Sequence, residues 1–164
     1  MGADGHNYIK RILQSVQRLD ELITDLLELS QVGRVELELK TVDMSAMASA
    51  IVEEIEHAHP GGKVTWLITG GLQAKGDQRL LRVLLTNLIG NAWKYSGKKA
   101  APRIEFGFED GAYFVRDNGA GFDMQHAGKL FQPFQRLHKP SEFEGIGIGL
   151  AIVARIVKRH GGRI

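Results

Sequence analysis

Residues 77–96 read Asp77-Gln-Arg-Leu-Leu-Arg-Val-Leu-Leu-Thr-Asn87-Leu-Ile-Gly-Asn91-Ala-Trp-Lys94-Tyr95-Ser96. The apolar residues recur at helical spacing, and Asp77 is a good N-cap for a helix that starts at Gln78 and runs to Tyr95. Leu81, Leu84, Leu85, Leu88 and Ala92 make one face, suited to burial against a sheet. Asn87, Asn91 and Lys94 stand at i, i+4 and i+7 and so share an adjacent face. An asparagine amide oxygen is a hard donor suited to Mg²⁺, which takes most of its other ligands from water and phosphate. The lysine can neutralise phosphate charge. Taken alone, the stripe reads equally well as a solvated helix face.

Two glycine-bearing segments lie downstream. Asp117-Asn118-Gly119-Ala120-Gly121 follows a strand-like run ending at Val115. A carboxylate there can accept a hydrogen bond from an exocyclic amine such as that of adenine, although the same pentad is common in surface turns. Gly145-Ile146-Gly147-Ile148-Gly149-Leu150 opens the last helix. Backbone N–H groups at a helix start attract anions, and missing side chains let phosphate oxygens approach. This run is neither Gly-x-Gly-x-x-Gly nor the P-loop, and by itself it could be a hinge. Between Gly119 and Gly145 no period is sustained. A loop of that length in a compact domain is usually functional, often a lid.

The rest of the chain supplies scaffolding. Ile9, Ile12, Val16, Leu19, Ile23 and Leu26 alternate three and four apart, which predicts an amphipathic helix from Ile9 to Ser30 with a coiled-coil seam. Gly33 is its expected cap. A strand around Leu37–Val42, a helix over Ser45–His57 and a strand over Val64–Thr69 follow. Gly70-Gly71 is expected to turn that strand into a short hairpin partner. Ile104–Phe108 and Ala112–Val115 form a second hairpin through Asp110-Gly111. The final helix spans Gly149–His160, and Arg163-Ile164 reads as the start of a strand. The economical packing is an α+β, two-layer sandwich with helices on one face of a mixed, mostly antiparallel sheet.

Composition removes several classes of function. The 164 residues contain no cysteine, which excludes disulfides, thiolate zinc sites and cysteine nucleophiles. A net charge of +2 with interspersed signs argues against a nucleic-acid surface. No apolar run nears the roughly 18 residues of a membrane span, and no signal peptide is evident. A cytoplasmic domain without membrane contact is expected. The 20 glycines exceed the usual share of about 7% and cluster in the segments above.

Metal ligand, adenine acceptor and phosphate cradle occur in order, with a lid between the last two. The order resembles the ATP-binding domain (the Bergerat-type fold) shared by sensor histidine kinases, type II topoisomerases, heat-shock chaperones and mismatch-repair ATPases. Asn87-Leu-Ile-Gly-Asn91-Ala-Trp-Lys94-Tyr95-Ser96 looks like the N box, and Asp117 to Gly121 like the first glycine box. Phe131-Gln-Pro-Phe134 with Arg136 looks like the F box of histidine kinases, and Gly145 to Leu150 like the second glycine box. The resemblance implies ATP and Mg²⁺ as ligands. Asn91 would hold the metal and Asn87 would assist. Lys94 would meet phosphate, Tyr95 would line the nucleoside pocket and Asp117 would read the adenine amine. Gly119, Gly121, Phe131, Gly145, Gly147, Gly149 and Leu150 complete the expected nucleotide contacts. Arg136 and Lys139 are expected as lid cations at the transferring phosphate.

Hydrolysing members carry a glutamate four residues before the metal-binding asparagine. Here that position is Asn87, and an amide is a poor general base. The expected activity is therefore protein-histidine kinase phosphotransfer rather than free hydrolysis. Residues 1–33, with Leu22 to Ser30, resemble the second helix of a dimerisation and phosphotransfer hairpin, leaving 34–164 as the catalytic domain. The acceptor histidine would lie on a helix that these residues do not contain, as part of a longer kinase. A response regulator and a homodimeric parent are the implied partners. A self-contained ATPase and a non-catalytic nucleotide-binding or dimerisation module are the alternatives. His6 reads as a surface residue near the hairpin loop, and His57, His59, His126, His138 and His160 as helix-end or solvated residues. Phe131 and Phe134 are expected to pack the lid's base or grip the hairpin.

Overall fold

The computed structural model describes residues 3–33, 36–137, 142, 143 and 145–164. Helix α1 spans Ala3–Val32, β1 Lys40–Asp43, α2 Met44–Ala58, β2 Thr65–Ile68, β3 Gln73–Gly76 and α3 Gln78–Ser96. Strand β4 covers Arg103–Glu109, β5 Ala112–Asp117, a 3₁₀ helix Met124–Lys129 and α4 Gly149–Arg159. This is the expected α+β arrangement of helices packed on mostly antiparallel strands. Among the described residues the strands divide into a pair, β1–β3, and a triplet, β2–β4–β5, with only β2–β4 parallel.

The expected β2–β3 hairpin does not form, because α2 claims its turn. Met44 N–H donates to the Leu72 carbonyl at 2.9 Å. Buried Ser45 donates its hydroxyl to Thr69 O at 2.6 Å and accepts from Leu72 N–H at 2.9 Å. With the turn fastened there, β3 runs on to pair with β1, placing Val42 opposite Ala74. The β4–β5 hairpin forms as expected. Asp110 and Gly111 take φ of 51° and 80°, the left-handed pair that a tight hairpin turn needs.

Two apolar clusters share α3. On one side Val42, Met47, Ile51, Leu85, Ile89 and Phe106 pack between the sheet, α2 and α3. On the other, Leu80 meets Ile148 at the entry to α4, Ile152 and Ile156 within it, and Val32 of α1. Burial on two sides explains why Leu80 and Ile89 are core residues beyond the single face read from the sequence. Helix α1 begins six residues before the expected Ile9. Leu22, Leu29 and Val32 dock it onto the domain, while its seam stays open, with Ile12 61% and Leu19 57% exposed. Gly33 does not end α1 through a left-handed cap. A Cβ there would collide with the Arg155 guanidinium, and Arg159 donates to the Val32 carbonyl.

Asp77 locks the start of α3. It is 1% exposed, accepts from Arg79 N–H at 3.0 Å and Leu80 N–H at 3.3 Å, and receives Glu38 N–H at 3.1 Å. Its own N–H donates to His160 Nε2 at 3.0 Å. His160 Nδ1 faces the Ile156 carbonyl at 2.8 Å, so the ring is held as the Nδ1–H tautomer. The Arg79 guanidinium beside Asp77, helped by the Glu38 and Leu80 amides, holds the carboxyl well below the usual carboxylate range, against the opposing effect of burial. A depressed folded value adds stability above the unfolded value near 3.9, and that stability is lost as pH falls below about 4. Asp77→Ala is expected to cost about 2–3 kcal/mol in urea unfolding at neutral pH, from the lost cap and the orphaned Glu38 amide. The gap between wild type and Asp77→Asn should narrow steadily below pH 4.

Candidate nucleotide site

Helix α3, the β5 exit and the α4 entry enclose a cavity of about 730 Å³, within the range of small-molecule sites. Its wall includes Asn87, Asn91, Lys94, Tyr95, Asp117, Gly119, Gly121, Phe131, Arg136, Gly145, Gly147, Gly149 and Leu150. Every described residue expected from the sequence is thus brought to one place. Lys139 and His138 lie outside the described residues.

The polar stripe of α3 is differentiated. Asn87 donates its amide N–H to the Val83 carbonyl at 2.9 Å, which turns its oxygen towards the glycine loop. A Cβ on Gly149 would run into that oxygen, so glycine is required for α4 to start there. Asn91 makes no side-chain hydrogen bond to the described residues and presents its amide to the cavity. Lys94 holds its ammonium 4.7 Å from the Tyr95 ring centroid, beside Gly145, where a Cβ would come within 2.9 Å of it.

The Asp117 loop is fastened to two neighbours. Ala120 N–H donates to the Tyr95 carbonyl at 3.1 Å, and a Cβ on Gly119 would sit 2.6 Å from that same oxygen. Asn118 bridges to the start of β4. Its oxygen accepts from Arg103 N–H at 2.9 Å, and its nitrogen donates to Ala101 O at 2.8 Å. Asp117 spends one carboxylate oxygen on Gly119 N–H at 2.8 Å. Its second oxygen has no partner among the described residues.

The opposite wall is the glycine loop. Gly145 and Gly147 take φ of 128° and 84°. Ile148 gives α4 no side-chain cap, so the first amides of the helix are left for a ligand. Phe134 N–H donates to the Gly147 carbonyl at 2.9 Å, joining the phenylalanine-bearing stretch to the loop. Phe134 itself has φ of 64° and is 56% exposed, while Phe131 lines the cavity.

Sequence reading missed the apolar lining: Val115, Leu130, Leu137, Ile146 and Ile164, with Leu88 moved from the sheet face to this wall. Val115 was within reach, because strand alternation places it on the same face as Asp117. Arg163 and Ile164, expected as a strand, are irregular.

A family model described as the histidine kinase-, DNA gyrase B- and HSP90-like ATPases matches residues 76–164. The chain belongs to this ATPase family. The matched region begins one residue before the Asp77 cap and holds every wall element of the cavity. Cyanobacterial phytochrome B of Nostoc sp. is 32% identical over 182 residues, covering 99% of this chain and 22% of that protein. The methanogenesis regulatory histidine kinase FilI of Methanothrix harundinacea is 37% identical over 162 residues, covering 93% and 18%. The chain therefore spans about a fifth of these relatives. The crystal structure of full-length ShkA in complex with AMPPNP superposes with a TM-score of 0.70 at 25% identity, over 98% of this chain and 35% of that one. The mycobacterial sensor histidine kinase MprB gives a TM-score of 0.61 at 25% identity, over 76% and 81%. Among the described residues, no helix of this ATPase-family chain is long and apolar enough to cross a membrane.

Proposed function

We propose that residues 34–164 are the ATP-binding catalytic domain of a sensor histidine kinase and that residues 1–33 are the second helix of its phosphotransfer hairpin. The observation that carries this reading is the convergence of Asn91, Asp117 and the α4 entry on one cavity. Asp117 accepts the adenine amine with the carboxylate oxygen that no described residue engages. Tyr95 and Val115 flank the base, and Lys94 meets the phosphates from its place over the Tyr95 ring beside Gly145. The amides from Gly147 to Leu150 hold the terminal phosphate.

Among the described residues no cluster of three histidine or carboxylate ligands offers a metal cage. The Asn91 amide oxygen, which no described residue engages, lies beside the phosphate site and fits Mg²⁺, which binds through few protein ligands. Asn91 would hold it, and the ion would neutralise phosphate charge. Asn87 cannot act as a base, because its nitrogen is engaged and its oxygen belongs to an amide. The γ-phosphorus is accordingly reserved for a histidine nitrogen, with ADP leaving on the opposite side. The open α1 seam serves a dimeric hairpin, and exposed Phe134 contacts it. A response regulator receives the phosphate, and the reaction takes place where ATP is supplied, in the cytoplasm.

Incubating this chain with γ-labelled ATP, Mg²⁺ and a separately prepared histidine-bearing hairpin tests the reading. Label should pass to the hairpin, with little free phosphate released without it. Brisk phosphate release by the chain alone would instead support a self-contained ATPase. Binding without either reaction would support a non-catalytic module. Asp117→Asn reverses the partner offered to the adenine amine, and calorimetry should show ATP affinity falling about tenfold or more while GTP changes little.

A further inference from the structure

Between the phenylalanine-bearing stretch and the glycine loop, three side chains of the described residues meet Phe143 and its neighbour Glu142. The Phe143 ring meets Tyr95 edge-on, with centroids 4.9 Å apart at 66°. The Lys98 ammonium stands 4.5 Å from the Phe143 centroid and donates to the Glu142 carbonyl at 2.6 Å. The Arg136 guanidinium donates to the Phe143 carbonyl. Tyr95 and Arg136 line the cavity, and Phe143 reaches it through them.

We propose that Phe143 is a positioning residue for the nucleotide: by clasping Tyr95 and Lys98 it seats residues 142–143 on the C-terminal end of α3 and slows nucleotide release. The inference rests on the nucleotide-site reading above. Tyr95 carries Lys94 on its ring, and Lys94 sits against Gly145, two residues beyond Phe143. The clasp therefore closes a circuit: Phe143 orients Tyr95, Tyr95 positions Lys94, and Lys94 borders the start of the phosphate loop. Opening it lets the base wall and the phosphate wall move independently. An edge-on aromatic pair and a cation–ring contact are each weak, but both must break before this segment lifts.

Stopped-flow release of mant-ATP from the full chain, chased with excess ATP, tests the role. Phe143→Leu keeps an apolar side chain but removes the ring. Release should accelerate about tenfold, with association within about twofold of wild type. Phe143→Tyr keeps the ring and should retain slow release. Lys98→Gln should speed release about threefold alone and clearly less in the Phe143→Leu background, where only its bond to the Glu142 carbonyl is left to lose. Unchanged release in Phe143→Leu, or a full Lys98→Gln effect beside it, overturns the proposal while leaving the nucleotide site standing. A wild-type chain that binds no mant-ATP overturns the nucleotide site itself, and this inference with it.

Discussion

Asn91→Ala is expected to remove Mg²⁺-dependent ATP binding from an otherwise intact protein. Affinity for Mg-ATP should fall about hundredfold, close to what the wild-type chain shows for ATP in the presence of a chelator. The reason for expecting so clean a separation is structural. Asn91 is half-buried in the cavity wall, and its amide bonds no described residue, so truncation leaves no orphaned partner behind. Neighbouring Ile89 and Ala92 carry the packing of that turn and are untouched. Thermal unfolding without ligand should therefore shift by no more than about 2 °C, as for substitutions that break no packing or pairing. Calorimetric titration with and without Mg²⁺ measures the effect. Equal Mg-ATP affinity in mutant and wild type would remove Asn91 from the metal role.

Gly147→Ala should be comparably damaging through a different mechanism. The residue adopts φ of 84°, which costs an L-residue about 1 kcal/mol. The added Cβ would also lie 2.6 Å from the Gln135 carbonyl and 3.1 Å from Arg136 Cγ. Neither the backbone oxygen nor the Phe134 N–H bond to the Gly147 carbonyl can give way without moving the loop. Nucleotide affinity should fall about hundredfold. Global stability should change by only about 1 kcal/mol, because the core cluster begins at Ile148. Gly121→Ala is the internal control. It carries a similar φ of 65° with nothing within 4 Å of the added carbon, so only the backbone strain remains. A loss of a few-fold is expected there. Equal losses in the two variants would show that strain alone, and not the contact with Gln135, governs the loop.

The chemistry of this site is carried by side chains whose meaning is local. Asn87, Asn91 and Lys94 share a face because a helix has 3.6 residues per turn. Asp77 caps that helix because its carboxylate reaches amides two and three residues on, and Asp110-Gly111 turns a hairpin because both residues tolerate positive φ. Such features depend on a few neighbouring residues and can be read without coordinates. Asn118, Gln135 and Phe143 were not legible in the same way. Their partners at Arg103, Gly147 and Tyr95 are 12 to 48 positions away, and nothing in the intervening sequence announces them.

The helices α2, α3 and α4, the Asp77 cap, the Asp110-Gly111 turn and the ordered set of asparagine and glycine motifs were determined by the sequence alone, because each follows from periodicity or φ/ψ preference over a short stretch. Strand partners were decided only in three dimensions. Ser45 and Met44 hold the turn at Gly70-Gly71, which sends β3 to β1 and leaves β2 to pair with β4. The second buried side of α3, the docking of α1 by Arg155 and Arg159, and the apolar lining of the cavity were likewise decided by packing. Each depends on contacts between residues far apart in the chain, whose energies are set by shape and proximity rather than by local pattern.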